Sequence, residues 1–405
     1  MPLCLLLPER TIINLPAQKY SISMTLLPWI EINNFRGISH LRYEPKQVNL
    51  LIGRNNSGKS TILEAIYAVL TGKEVPTIFN QGRYLNRYGI NVHAERASIS
   101  ADNHDFFISC SLSDLPADFS EKIVEKLNLV LFHNAKFTPS PFYQKKFIDY
   151  LIKSRMVSFS VLDGNLRSID VTPYKGFSEK LAADSQSIFA GADISPEDLQ
   201  EYLYQFCRMS YGFSENVDAN VGNIRFINNS DKLFYQVTAD PLELIELDKF
   251  VLEHNLLPNV ERLMEDGVVY RENDETYFLP YTVHGTGFSI LLNLISTIRQ
   301  CRDGVLLIEE PENHMHPGYL QVFVENLMLL ARKLNVQVFL TTHSYDLIEA
   351  FANYSQYDEE ESVEERDLIQ ITRIVKRRDE HELYNYTPSE AFAEMVEMKM
   401  DLRGT

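Results

Sequence analysis

Val48-Asn49-Leu50-Leu51-Ile52-Gly53-Arg54-Asn55-Asn56-Ser57-Gly58-Lys59-Ser60-Thr61 is the stretch whose reading decides the fold. The apolar run 48–52 enters a loop holding two glycines. Residues 61–70 leave it with apolar side chains at helical spacing, so the unit reads strand–loop–helix. The loop fits G-x-x-x-x-G-K-[ST] in the flanks that motif requires. Its backbone N–H groups form a nest at a helix N-terminus, where the helix dipole favours phosphate. Gly53, Arg54, Asn55, Asn56, Ser57, Gly58, Lys59, Ser60 and Thr61 are therefore the candidate nucleotide-binding set. Lys59 is expected to reach the β- and γ-phosphates, and the Ser60 hydroxyl to bind Mg²⁺.

Working outward, residues 29–36 alternate like a strand and residues 288–300 read as an apolar helix. Val305 to Ile308 is a buried-strand run, 317–334 an amphipathic helix, and Val336 to Leu340 another buried strand. The alternation predicts an α/β layered core. Glu309 and Glu310 end the first of these strands, where α/β sheets place their ligands. Glu309 is the candidate Mg²⁺ ligand, and Glu310 the group that polarises the attacking water. His343 ends the next strand and can hydrogen-bond a γ-phosphate. The stretch from Glu310 to His343 leaves room for one helix and one strand, which brings the two side by side.

The 405 residues predict two or three domains. Residues 1–23 read as a loose extension or an upstream start ahead of Met24. The head comprises 24–74 and 281–405, and 75–280 reads as an inserted, mostly helical arm. Within the arm, 97–112 is a hairpin turning at Asn103. Residues 118–131 and 141–153 are helices, another opens at 195–198, and 241–265 is helical and broken at Pro258. After the core come a solvated acidic loop at 358–366, a hairpin of 368–375 with 382–386, and a helix started by the capping box 387–390.

Lys plus Arg number 38 against 56 Asp plus Glu, a net charge of −18. That speaks against a general nucleic-acid binder but allows a local basic groove, with Lys145-Lys146 and Lys376-Arg377-Arg378 as small patches. Cys4, Cys110, Cys207 and Cys301 are too scattered for a zinc ribbon and suit a reducing cytoplasm. No apolar run approaches the ~20 residues that span a bilayer. Leu3 to Leu7 is too short for a signal peptide. The expected location is cytoplasmic.

As a set, these motifs resemble an ABC-type ATPase of the OLD-like, AAA15 group, related to the SMC and Rad50 heads. Residues 32–38 (INNFRGI) resemble its opening strand, and through it Arg36 joins the nucleotide-binding set. Residues 52–60 resemble its P-loop, 309–317 its joined Walker B and D-loop, and 341–344 its TTHS switch. The likeness covers roughly 29–72 and 280–350. Glu309 stands where the family usually has Asp, and Gln81 is the Q-loop candidate. The resemblance also implies a signature read in trans, best matched by Gly285, Thr286, Gly287 and Ser289. No Ser directly precedes the glycine pair, so Thr286 or Ser289 supplies the hydroxyl. The residues after His343 are too few for a Toprim nuclease domain.

The resemblance implies an ATP- and Mg²⁺-dependent switch in which Glu310, His343 and Lys59 are catalytic. It also implies a homodimer or higher homo-oligomer bridged by ATP, acting beside a separate effector in anti-phage defence, with no membrane partner. The alternative is a DNA-repair or DNA-clamping ATPase that grips nucleic acid along its arm.

Overall fold

The computed structural model describes residues 11–15, 27–72, 90, 94, 96–109, 123, 125, 127, 140–154, 156–171, 183–185, 187–192, 211–215, 223–227, 241–257, 259–272, 274–313, 315–354, 368–378, 380–398 and 401–403. In chain order the strands are β1 (Thr11–Leu15), β2 (Ile30–Phe35), β3 (Ile38–Tyr43), β4 (Val48–Ile52), β5 (Arg96–Ala101), β6 (His104–Ser109), β7 (Val157–Leu162), β8 (Asn165–Val171), β9 (Tyr211–Glu215), β10 (Ile224–Ile227), β11 (Val260–Leu263), β12 (Gly267–Glu272), β13 (Glu275–Pro280), β14 (Val305–Glu309), β15 (Gln337–Thr342), β16 (Ile369–Arg377) and β17 (Glu380–Tyr386). The helices are α1 (Lys59–Thr71), α2 (Pro141–Lys153), α3 (Pro241–His254), α4 (Thr286–Arg299), α5 (Pro317–Lys333), α6 (Tyr345–Tyr354) and α7 (Pro388–Phe392).

The core sheet runs β10-β14-β15-β4-β16-β17, parallel except for β17. Both of its faces are covered, which is why its strands read as unbroken apolar runs. Leu50, Leu306, Ile308, Val338 and Leu340 pack with residues of α4, α5 and α6. Leu51, Val305, Leu307, Phe339 and Ile374 pack with α1 and the second sheet. That sheet has the order β1-β9-β8-β7-β6-β5-β2-β3, and a third joins β11, β12 and β13. The mixed α/β architecture with a covered parallel sheet is the one expected of an ABC-type P-loop head.

The register fixes where chemistry can happen. Thr342 pairs with Ile52, and Glu309 with Thr341. The loops after β4, β14 and β15 therefore leave side by side at the carboxyl end of the sheet.

Helix 141–153, the hairpin turning at Asp102-Asn103, the β16–β17 hairpin and the Thr387–Glu390 capping box stand as expected. Of the arm, read as mostly helical with a few strands, the described residues between 75 and 280 hold more strand than helix, and the rest of it lies outside the described residues. β5 to β8 extend the sheet begun by β2 and β3, with Ala97, Ile99, Phe106 and Ile108 alternating into the core. The helical reading of 241–265 also fails past His254. Asn255 and Asn259 take left-handed φ of 49° and 61°, which ends the helix, and 260–263 pairs with β12. The extension is not wholly loose, since residues 11–15 pair in parallel with 211–215. Gln81, Pro258, residues 195–198, the acidic run 358–366 and most of 118–131 lie outside the described residues. No helix among the described residues is long and apolar enough to cross a membrane.

Candidate active site

Gly53 sits at φ 145° against β16. A Cβ there would stand 2.6 Å from the Ile374 carbonyl oxygen, so only glycine lets the loop lie on the sheet. Asn56 (φ 62°) and Gly58 (φ 103°) complete the curl, and Gly58 caps α1 without a side-chain bond. With no acidic residue in the first turn of α1, the positive end of its dipole is open to an anion.

Lys59 is buried at the loop base, and its Nζ donates to the Gly53 and Arg54 carbonyls at 2.9 and 3.0 Å. Burial lowers its pKa to about 8, against the pull of Glu310, Glu312 and Glu309. Anionic phosphate at Nζ would raise that value again. ATP binding is therefore expected to take up protons near and above about pH 8, and to weaken as rising pH discharges the lysine. Calorimetry at pH ~8.5 in buffers of different ionisation enthalpy checks this. No proton exchange would mean that phosphate does not contact Lys59.

Arg36 lies on the turn after β2, with Nη1 2.9 Å from the carboxylate of Glu64, a buried residue of α1. It thus ties the second sheet to the helix that follows the loop.

Glu310 follows β14 in a left-handed conformation, φ 47°, at a cost of about 1–3 kcal/mol for a residue with a Cβ. Its N–H donates to the Thr341 carbonyl at 3.0 Å, and its carboxylate accepts from Asn313 Nδ2 at 3.0 Å. His343 Nε2 stands 3.5 Å from the other carboxylate oxygen, so the two strand ends meet as the spacing predicts. Burial and then Lys59 push the His343 pKa below its usual value, which leaves a neutral ring near pH 7.

Glu312, within the 309–317 stretch, ties the two loops together. One carboxylate oxygen accepts from Thr342 Oγ1 and from the N–H groups of His343 and Ser344, the last two at 3.1 and 3.2 Å. Its other oxygen is buried without a hydrogen-bond partner among the described residues.

The signature candidates open α4, with Gly285 at the N-cap and no side-chain cap. His284 braces this turn. Its Nδ1–H donates to the Pro280 carbonyl at 2.9 Å, Nε2 accepts from the Tyr270 hydroxyl at 2.9 Å, and its ring stacks on Phe288. Gly285 is open: a Cβ there meets nothing within 4 Å. Gly287 is buried, and a Cβ would meet the Tyr319 ring at 3.1 Å. Ser289 is half-buried, and the side chain of Thr286 lies outside the described residues.

Residues 27–160 match the family described as "AAA ATPase domain", and residues 187–349 the one described as "AAA domain, putative AbiEii toxin, Type IV TA system". An uncharacterized protein of Methanocaldococcus jannaschii, MJECL11, is 33% identical over 126 residues, which are 30% of this chain and 99% of that protein. The chain belongs to the AAA ATPase family. A Helicobacter pylori protein named ATP/GTP phosphatase is 20% identical over 384 residues, 87% of this chain and 93% of that one. The DNA replication and repair protein RecF of Nitrosococcus oceani is 44% identical over 50 residues, 12% of this chain and 14% of its own length. Among solved structures, the SMC head domain from Thermotoga maritima aligns at 12% identity and TM-score 0.44, over 89% of this chain and 98% of that one.

For an ATPase of this family the arrangement brings together a glycine-shaped loop at a helix N-terminus, a buried lysine, a strained glutamate and a neutral histidine. The open N-terminus of α4 belongs to a helix packed on the same core. Glu312 stands in the 309–317 stretch, but its partners lie some thirty residues away, across a strand pairing, and no spacing shows them. His381 carries no signal in the sequence: its Nε2 would stand 3.4 Å from a Cβ on Gly58, and the β16–β17 register brings it there.

Proposed function

We propose that this chain is an ATP-hydrolysing molecular switch of the OLD-like kind. It works as a homodimer or higher homo-oligomer with ATP between heads, beside a separate effector in anti-phage defence. The observation that carries this reading is the meeting of Lys59, Glu310 and His343 at the carboxyl end of one parallel sheet, with Glu310 and His343 3.5 Å apart.

In that reading the N–H groups of 54–60 and Lys59 hold the β- and γ-phosphates, and Arg36 steadies the helix beneath them. Glu310 accepts a proton from the attacking water as it adds to the γ-phosphorus. The bond to the β–γ bridging oxygen breaks, giving ADP and phosphate. His343, neutral, hydrogen-bonds the γ-phosphate and reports its presence.

No cluster of three or more His, Cys, Asp or Glu among the described residues could hold a metal unaided. Mg²⁺ takes one or two protein oxygens and completes its shell with water and substrate phosphates, and the Ser60 hydroxyl and Glu309 carboxylate are oxygen donors of that kind. Ser60 and Glu309 would hold it, and it would neutralise phosphate charge.

The relative named ATP/GTP phosphatase supports hydrolysis, and the type IV TA description of the 187–349 family supports a partner gene product. The DNA-clamping reading stands second, given the charge of −18 and the shortness of the RecF match.

Head closure is testable at Gly285, the open end of α4. Gly285→Arg adds a long cation where the partner's γ-phosphate would sit. It is expected to abolish ATP-dependent dimers in size-exclusion chromatography and to cut turnover at least tenfold, while ATP binding persists. Unchanged turnover would remove 285–289 from the composite site. Gly287→Arg discriminates less, because its side chain would first displace Tyr319.

A further inference from the structure

A cavity of about 580 Å³ lies against the outer side of the P-loop. Arg54 and Ser57 of the loop form one wall, and Arg373, Lys376, Arg378 and Arg403 the other. Among the described residues no carboxylate lines it, in a chain whose net charge is −18. The Ser57 hydroxyl is buried without a partner among the described residues, although Ser57 is only 4% exposed. Such a wall attracts an anion. The Lys376-Arg377-Arg378 patch of the sequence thus opens, in part, onto the loop that cradles phosphate.

Arg403 is the cation of this wall whose position is best defined. Leu402 is 1% exposed and anchored in the core that α5 and α6 share. Asp401 grips the guanidinium at Nε (2.8 Å) and Nη2 (2.7 Å), and accepts from the Arg403 N–H at 3.0 Å. The guanidinium carbon stands 5.8 Å from the centre of the Tyr345 ring. Nη1 makes no hydrogen bond among the described residues and is left to meet a ligand. Arg403 therefore borders the P-loop wall on one side and, on the other, Tyr345, two residues beyond His343. It also helps hold the His343 pKa down. Arg403 thus lies between the P-loop and the start of α6, the helix that follows His343.

We propose that Arg403 is a catalytic arginine supplied in cis, its guanidinium contacting the γ-phosphate and neutralising the charge that builds on it, with Asp401 and Tyr345 as positioning residues. This rests on the ATPase reading above. A planar guanidinium suits the task because it can bind two phosphate oxygens at once, and such arginines contribute on the order of 10³–10⁵ to turnover in other P-loop enzymes. Asp401 spends one edge of the fork to fix the direction of the other.

The test uses the full chain with Arg403→Ala, Arg403→Lys and Asp401→Asn, each checked for wild-type melting. Arg403→Ala is expected to lower kcat at least about 100-fold, with KM changed much less. Affinity for ADP should be unchanged, while affinity for a non-hydrolysable ATP analogue falls. Arg403→Lys should keep the analogue preference in part but not the turnover, and Asp401→Asn, which keeps the guanidinium but loosens its direction, should lower kcat less than Arg403→Ala and leave ADP affinity unchanged. Added guanidinium should partly rescue Arg403→Ala and not Lys59→Ala. A kcat within twofold of wild type would overturn the proposal, as would an equal loss of ADP and analogue affinity. If the wild-type chain does not hydrolyse ATP, the ATPase reading fails instead; the ratio of analogue to ADP affinity in Arg403→Ala then still decides whether this arginine reads the terminal phosphate.

Discussion

A folded Lys59→Ala protein is expected to lose ATP turnover by roughly 10²–10³-fold, the scale for removing one preorganised donor from a site of developing charge. The side chain lies buried and bonded to the Gly53 and Arg54 carbonyls, so the change also touches the loop's own structure. Two effects oppose each other there. Two carbonyls lose a charged donor, but a lysine that burial disfavours as a cation is also removed. The melting temperature should therefore move little, and the loop glycines still set the curl. Nucleotide affinity should fall together with turnover, because Lys59 serves ground state and transition state alike. Turnover assays with a melting curve decide the matter. Wild-type rates in a folded variant would sink the assignment of this loop to phosphate.

Glu310→Gln should behave differently. It keeps the size of the side chain, the left-handed backbone at 310 and an acceptor for Asn313. It removes the charge that takes the water proton, so turnover should fall by about 10² or more. ATP affinity should persist, since Lys59, Ser60 and Glu309 are untouched. If heads close on ATP, the variant should accumulate as an ATP-bound assembly, seen as a larger species in size-exclusion chromatography with ATP and Mg²⁺. Glu309→Gln should instead weaken Mg²⁺ dependence without trapping. Glu312→Gln retains an oxygen that can accept from Thr342, His343 and Ser344, and its turnover should remain above that of Glu310→Gln. The reverse order would show that Glu312 is the base.

The apolar face of β4, the glycines of 53–58 and the helical spacing of 61–70 are local facts, and they were legible because each depends on neighbours within a few residues. The same holds for β14, β15 and the capping box at 387–390. Even the meeting of Glu310 and His343 could be read, since one helix and one strand between parallel neighbours leave few alternatives. The alternation in 96–109 marks a strand pair but not the sheet it joins, which the pairing of β5 with β2 decides. β10 was missed because Ile224–Ile227 is a four-residue run that only its pairing with β14 makes a strand.

What tertiary structure alone decided is the set of contacts bridging distant segments. Glu312 staples the turn after β15, Tyr319 of α5 occupies the space beside Gly287, and Arg403 comes to rest between Tyr345 and the P-loop wall. None of these leaves a period or spacing in the chain, because side chains so far apart meet only through the register of the sheet and the packing of helices upon it. The sequence by itself determined the glycine-rich loop between β4 and α1 and the neighbouring of Glu310 and His343; the folded chain decided the strand order and which charges surround that loop.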